Sequence, residues 1–325
     1  MILVSAPLRV SLFGGGSDIE SFYSVNGGAF LSLSLKSRIY LAINKTINNE
    51  IKIHYSKTEI VNDVDSIKHD LVREALKLAG VTGDLEIGSF ADIPTSGTGL
   101  GSSSTFSVAL LGGLNVLRGH SCSARDLAEQ ACHLEIDLCS APIGKQDQYA
   151  AAFGGLNFYE IDRSGHVKVE KNIVGRNVEQ NLISRLFMVY TGKKRDASDI
   201  LAEQTSNVAV PGDKQIAQQS ILDMAYESYG YLRKNELDNL GRMLGKAWEQ
   251  KKKLASAVSN VELNAIYEKG REAGSLGGKL LGAGGGGFFL FYVPPDNQIS
   301  FCRAFNGEAS RVELSQEGFV THYVS

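Results

Sequence analysis

The stretch Pro94-Thr95-Ser96-Gly97-Thr98-Gly99-Leu100-Gly101-Ser102-Ser103-Ser104 runs straight into an apolar helical pattern, and it constrains this chain more than any other segment. Glycines at 97, 99 and 101 let the backbone fold tightly with its N–H groups turned inward, and the serines after them suit the cap of a helix. The spacing of Phe106, Val108, Leu110, Leu111, Leu114 and Leu117 predicts that helix over residues 103–118. Its positive dipole end then lies where the loop closes, which makes the segment a cradle for an anion, phosphate above all. No Gly-Lys-Ser/Thr follows the glycines, so this is not a Walker A loop and no P-loop fold is implied. By itself the composition also describes a surface turn before a helix.

Two more glycine clusters flank this one. Residues 1–12 read as a strand that ends in Leu12-Phe13-Gly14-Gly15-Gly16-Ser17-Asp18, where backbone freedom rises abruptly. Arg9 stands on that strand among apolar neighbours, where a cation needs an anionic partner, whether a ligand or a carboxylate at a sheet edge. Asp18 either bonds substrate hydroxyls or caps a short helix over residues 19–24. Near the other end, Gly282, Gly284 and Gly287 match Gly-x-Gly-x-x-Gly, but the run enters the strand pattern 288–293 instead of opening a helix. That context rejects a dinucleotide fold. These glycines are expected to pack against another backbone, with the cradle loop as the first candidate.

Between the clusters, strands are expected over 27–35, 38–43, 51–55 and 85–90, with helices over 67–79 and 124–137. Polar groups then concentrate in the loop Cys139-Ser140-Ala141-Pro142-Ile143-Gly144-Lys145-Gln146-Asp147-Gln148-Tyr149. Asp147 is flanked there by donors that would hold it ionised and aimed at a substrate hydroxyl; the alternative is an acid that starts a helix. Glu135 is placed to reach a metal at the cradle, or to face solvent. Lys193, Lys194 and Arg195, before another helix, suit a phosphorylated ligand or form a solvated face. Residues 197–274 read as mostly helical, with Trp248 as a packing residue.

At 325 residues there is chain enough for two domains, expected at 1–182 and 183–325. The net charge of −3 offers no field for nucleic acid or an acidic membrane, which favours small-molecule chemistry. The start of the chain has no signal-peptide pattern, so a cytoplasmic enzyme is expected. Four cysteines without a Cys-x-x-Cys pair point to reduced thiols, and Cys132, His133 and Cys139 lack a fourth ligand for zinc.

A proline-arginine strand closing on a glycine triplet, a Gly/Ser cradle and a late glycine loop before a strand, in this order, resemble the family of galactokinase, homoserine kinase, mevalonate kinase and phosphomevalonate kinase. Within it, the glycine triplet before Ser17-Asp18, the Gly144 to Tyr149 run and the Thr191 to Ser198 run look most like the branch that phosphorylates heptose 7-phosphate, with fucokinase the nearest rival. The resemblance implies an α+β fold of two domains with the active site in the cleft between them. It also implies ATP, Mg²⁺ and a sugar phosphate as partners, with no nucleic acid and no membrane; a homodimer stays open.

On that basis Gly97, Thr98, Gly99, Leu100, Gly101, Ser102, Ser103 and Ser104 are expected to hold ATP, and Mg²⁺ to lie between its phosphates, a serine of the run 102–104 (Ser103 is taken) and Glu135. Asp147 and Arg9 are the expected catalytic pair. Gly15, Gly16, Ser17 and Asp18 are expected at the sugar, with Lys193, Lys194 and Arg195 at its phosphate. A sugar sensor that keeps the fold without catalysis is the rival reading, and a dinucleotide-dependent oxidoreductase the third.

Overall fold

The computed structural model describes residues 1–94, 97–193, 198–208 and 212–324; Thr95, Ser96, Lys194 and Arg195 lie outside the described residues. The chain opens with β1 (Ile2–Phe13), α1 (Glu20–Asn26) and β2 (Gly28–Lys45). β2 is one strand of 18 residues where the alternation predicts two. Antiparallel pairing of β1 with β2 slips between Pro7 and Arg9. Proline has no N–H for the ladder, and such an irregularity re-aims the residue beside it. The N–H of Arg9 accordingly goes to Leu100 O at 3.0 Å, tying the first strand to the cradle loop.

The chain continues through β3 (Ile51–His54), β4 (Thr58–Val61), α2 (Asp70–Ala79) and β5 (Leu85–Ala91). β5 pairs antiparallel with β2 and parallel with β3, with α2 in the crossover. Next come α3 (Ser102–Leu117), α4 (Ala124–Cys132), a π-helical stretch (His133–Leu138), α5 (Gln146–Phe153), β6 (Leu156–Ile161) and β7 (Val167–Glu170). The buried face of α3, with Val108, Leu110, Leu111 and Leu114, packs in one core with Val4, Leu41 and Ile43 of the sheet. Each such side chain contributes about 1.5–3 kcal/mol relative to exposure. Gly113 permits the close approach, since a Cβ there would lie 2.5 Å from Ile43 Cδ1.

The remainder comprises α6 (Arg176–Ile183), β8 (Leu186–Tyr190), α7 (Ser198–Val208), α8 (Asp213–Arg233), α9 (Leu237–Lys252), α10 (Val261–Glu272), β9 (Gly277–Leu280), β10 (Phe288–Tyr292), α11 (Gln298–Ala304), β11 (Ser310–Arg311) and β12 (Val320–Val324). β8 to β11 form a second sheet in the order β11-β8-β10-β9, while β12 returns to the free edge of β1. Trp248 is fully buried and meets Phe289 edge-on, the packing role read from sequence. The halves share an apolar seam: Leu8, Val10 and Leu12 of β1 cluster with Ile221 of α8 and with Leu240 and Leu244 of α9. No helix among the described residues is long and apolar enough to cross a membrane.

Candidate active site

A cleft of about 1270 Å³ lies above this seam, lined by all three glycine loops, the start of α3, the start of α5 and residues of α9. Pockets for a single small ligand usually measure roughly 300–1,000 Å³, so this one has room for two substrates.

The late glycine loop packs on the cradle as the sequence suggests. A Cβ at Gly282 would stand 2.4 Å from Gly99 Cα, and one at Gly287 2.4 Å from Thr98 O. Both have positive φ, 68° and 99°, so side chains are excluded twice, by space and by backbone conformation. The cradle closes into α3 at Gly101, a left-handed N-cap with φ 74° and no side-chain cap. The N-cap position falls on Gly101, ahead of the serines expected to cap this helix, and Ser103 Oγ donates to Glu135 Oε1 at 2.8 Å. The first N–H groups of a helix lack intrahelical acceptors, and Gly101 at the N-cap brings no side chain to take that place, which suits an anion cradle.

Arg9 and Asp147 meet at the edge of the cradle. Arg9 Nε and one terminal nitrogen each donate to an oxygen of Asp147 at 2.6 Å, a two-point ion pair, and the other terminal nitrogen donates to Gly99 O at 2.6 Å. Gly101 lets the cradle lie on this pair, because a Cβ there would be 3.1 Å from both Arg9 Cγ and Asp147 Oδ2. Asp147 sits in the first turn of α5 and not in a loop. Its sequence neighbours are not its partners: Lys145 donates to Gly165 O, Gln146 to Ser11 Oγ and Gln148 to Glu135. Successive helical residues point about 100° apart, which sends these donors elsewhere.

Glu135 is reached through the π-helical stretch, where the sequence predicts ordinary helix up to 137. The carboxylate is buried and accepts from Ser103, from Gln148 at 2.6 Å and from Ser104. Burial pushes its pKa up, and these donors oppose the shift. One carboxylate beside a serine hydroxyl at a phosphate cradle is a hard-oxygen set that fits Mg²⁺, which binds through one or two carboxylates plus phosphates and water.

The first glycine loop, residues 14–18, divides its work. Gly15 and Gly16 line the cleft, and Gln218 of α8, missed in the sequence, backs the loop by donating to Gly15 O at 3.3 Å. Ser17 is fully buried and bonds the carbonyls of Gly14 and Ala29, away from the cleft wall. Asp18 borders the cleft, but its oxygens accept the N–H groups of Gly16 at 2.8 Å and of Gln146 at 2.9 Å. It therefore braces the start of α5, and with it Asp147, instead of capping α1. Burial raises the pKa of Asp18. Leu100 is fully buried and enters the site only through its carbonyl, the acceptor for Arg9 N. Lys193 pairs with the exposed Glu262 and does not line the cleft; Lys194 and Arg195 lie outside the described residues.

Two lysines that sequence reading passed over, Lys251 and Lys279, do line the cleft. At another wall His69 stacks on Phe106 with centroids 5.4 Å apart and meets Tyr55 edge-on at 4.8 Å, an aromatic surface in the same cleft.

Comparison with known proteins agrees with this architecture. GHMP kinases N terminal domain matches residues 66–155, and GHMP kinases C terminal matches residues 228–309. The D-glycero-alpha-D-manno-heptose 7-phosphate kinase of Campylobacter jejuni is 29% identical over 96% of this chain and 95% of its own. The crystal structure of a D-glycero-D-manno-heptose 1-phosphate kinase from Bacteroides thetaiotaomicron superposes over 100% of both chains with a TM-score of 0.81 at 24% identity. Lactococcus lactis galactokinase complexed with galactose does so over 99% of this chain and 95% of its own, with a TM-score of 0.75 at 19% identity. Because the two domain matches together span just over half of the chain and the fold is shared along its length, this chain belongs to the GHMP kinases, a family that takes phosphate from ATP.

Proposed function

We propose that this kinase transfers the γ-phosphoryl group of ATP to the anomeric hydroxyl of D-glycero-D-manno-heptose 7-phosphate. The 1,7-bisphosphate formed is a precursor for nucleotide-activated heptose in surface glycans such as capsule or lipopolysaccharide. The observation that carries the chemistry is Asp147, held by Arg9 where the cradle and the start of α5 meet in a two-substrate cleft. The likeness along both chains to the Campylobacter jejuni heptose 7-phosphate kinase supports the acceptor.

In this mechanism the N–H groups of the cradle and the start of α3 hold the ATP phosphates, with the base against Tyr55, His69 and Phe106. Asp147 takes the hydroxyl proton, and Arg9 keeps the carboxylate oriented by its two-point grip. The acceptor oxygen bonds to the γ-phosphorus as the bond from that phosphorus to the bridging oxygen breaks, and the electron pair leaves on ADP. An anomeric hydroxyl is more acidic than an ordinary alcohol, so the demand on the base is modest. When bound, Mg²⁺ neutralises phosphate charge, and Ser103 with Glu135 would hold it.

Comparing kcat/KM for mannoheptose 7-phosphate, fucose, galactose and mevalonate tests the acceptor. The heptose phosphate is expected to exceed the others by at least about tenfold. Preference for fucose would replace it with the rival sugar, and no turnover of any would favour a sensor. Glu135→Gln tests the metal: the Mg²⁺ concentration for half-maximal turnover is expected to rise roughly 10–100-fold. Stability should hold, because the amide removes a buried charge. An unchanged Mg²⁺ requirement would remove Glu135 from the metal site.

A further inference from the structure

Beside the Arg9–Asp147 pair the cleft carries two ammonium groups that the mechanism above leaves without a task. Lys279 on β9 is 7% exposed and donates to Leu12 O at 3.2 Å, where β1 gives way to the first glycine loop. Lys251, in the last turn of α9, donates to Leu280 O at 2.8 Å and to Gly282 O, the glycine seated on Gly99 of the cradle. One lysine thus adjoins the first glycine loop and the other the cradle, and both line the cleft.

Among the described residues the hydrogen bonds of both lysines go to backbone carbonyls, and neither lysine is paired with a carboxylate. The charged groups that act on them are Arg9 on β1 and each other, and Arg9 is itself paired with Asp147 of α5. Three cations therefore gather in a largely desolvated place, and neither lysine has a carboxylate of its own. The strain registers in the lysines: burial first, and Arg9 second, lower the pKa of Lys279 to about 7. Lys251 is pushed down by burial, then by Lys279 and Arg9. A clamp on backbone carbonyls needs no cluster of like charges, which disfavour one another. An anion arriving among them would relieve both burial and repulsion.

We infer that Lys251 and Lys279, with Arg9, form the seat of the γ-phosphoryl group of ATP, gripping its non-bridging oxygens between the cradle and the first glycine loop. The inference rests on the kinase reading, and on no particular acceptor. The lysines make and break no bond. As the acceptor oxygen bonds to the γ-phosphorus, the bridging bond breaks with its electron pair going to ADP and the hydroxyl proton going to Asp147. The ammonium charges balance the phosphoryl oxygens throughout.

The test is isothermal titration with MgATP and with MgADP, without acceptor, at pH 8 in buffers of different ionisation enthalpy. A γ-phosphoryl group beside Lys279 raises its pKa, so MgATP should take up about one proton more than MgADP on binding to the wild-type protein. Lys279→Met should reduce that difference. Lys279→Met and Lys251→Met should each weaken MgATP by at least about tenfold and MgADP by less than about threefold. Equal proton uptake for the two nucleotides, or equal weakening of both by the variants, overturns the inference. The wild-type measurement decides even where a variant does not fold. Because no acceptor is present, a failure here leaves the sugar assignment standing, and a failure of the sugar panel leaves this result standing.

Discussion

Asp147→Asn is expected to lower kcat by roughly 10²–10⁴-fold while MgATP affinity stays within about threefold, the range found when a positioned acid–base group is removed. The carboxamide keeps the size of the side chain but cannot accept a proton. It also offers an NH₂ group where Arg9 presents a donor at 2.6 Å, so one of the two contacts is lost. Arg9 is only 6% exposed along its side chain and would be left without an anion, which adds a loss of about 1–3 kcal/mol in stability. The cradle contributes its N–H groups independently of Asp147, which is why nucleotide binding should survive. Turnover near wild type would reduce Asp147 to a structural partner of Arg9 and remove the proposed base.

Arg9→Met has the second large effect, and its pairing with Asp147→Asn makes it diagnostic. The single change removes both contacts to Asp147 and the bond to Gly99 O, so the base loses its orientation and the cradle one of its ties. A fall in kcat of at least about 10²-fold is expected. Thermal stability should also fall, because Asp147, 26% exposed, keeps a charge with no counter-ion. In the double variant neither charge remains, so stability should recover above that of Arg9→Met alone while turnover stays low. Recovery of turnover along with stability would mean that the pair only supports the fold.

The parts of the site that lie in one continuous segment were legible in the sequence. The cradle, its helix and the strand pattern after the late glycines are local signals of spacing and backbone freedom, and each appears where the pattern sets it. The glycine-to-glycine contact of 282 with 99 was also legible, because a run of glycines before a strand has little other use than a close approach. Partnerships across the fold were harder. Asp147 stands among donors in sequence, yet its partner comes from β1, 138 residues away. Glu135 faces the cradle through a π-helical stretch, for which its sequence carries no special residue.

Lys251 is one of three consecutive lysines at the end of a helix, and Lys279 lies in the late glycine-rich run, so neither stands out in the sequence. Only the approach of α9 to β9 brings them to the cleft. The charges of the basic run 193–195 are adjacent in sequence, but adjacency along the chain says little about where a charge acts. Lys193 spends its charge on Glu262 at the surface.

The proposed transfer forms a bond at the anomeric oxygen of a sugar that already carries a phosphate at its far end. Phosphorus NMR of the product from ATP and D-glycero-D-manno-heptose 7-phosphate tests it most directly. A second phosphate resonance coupled to the anomeric proton is expected, one equivalent for each ADP released, and none with the Asp147→Asn protein on the same timescale. A new phosphate coupled to any other ring proton, or ADP released without a new sugar phosphate, would contradict it.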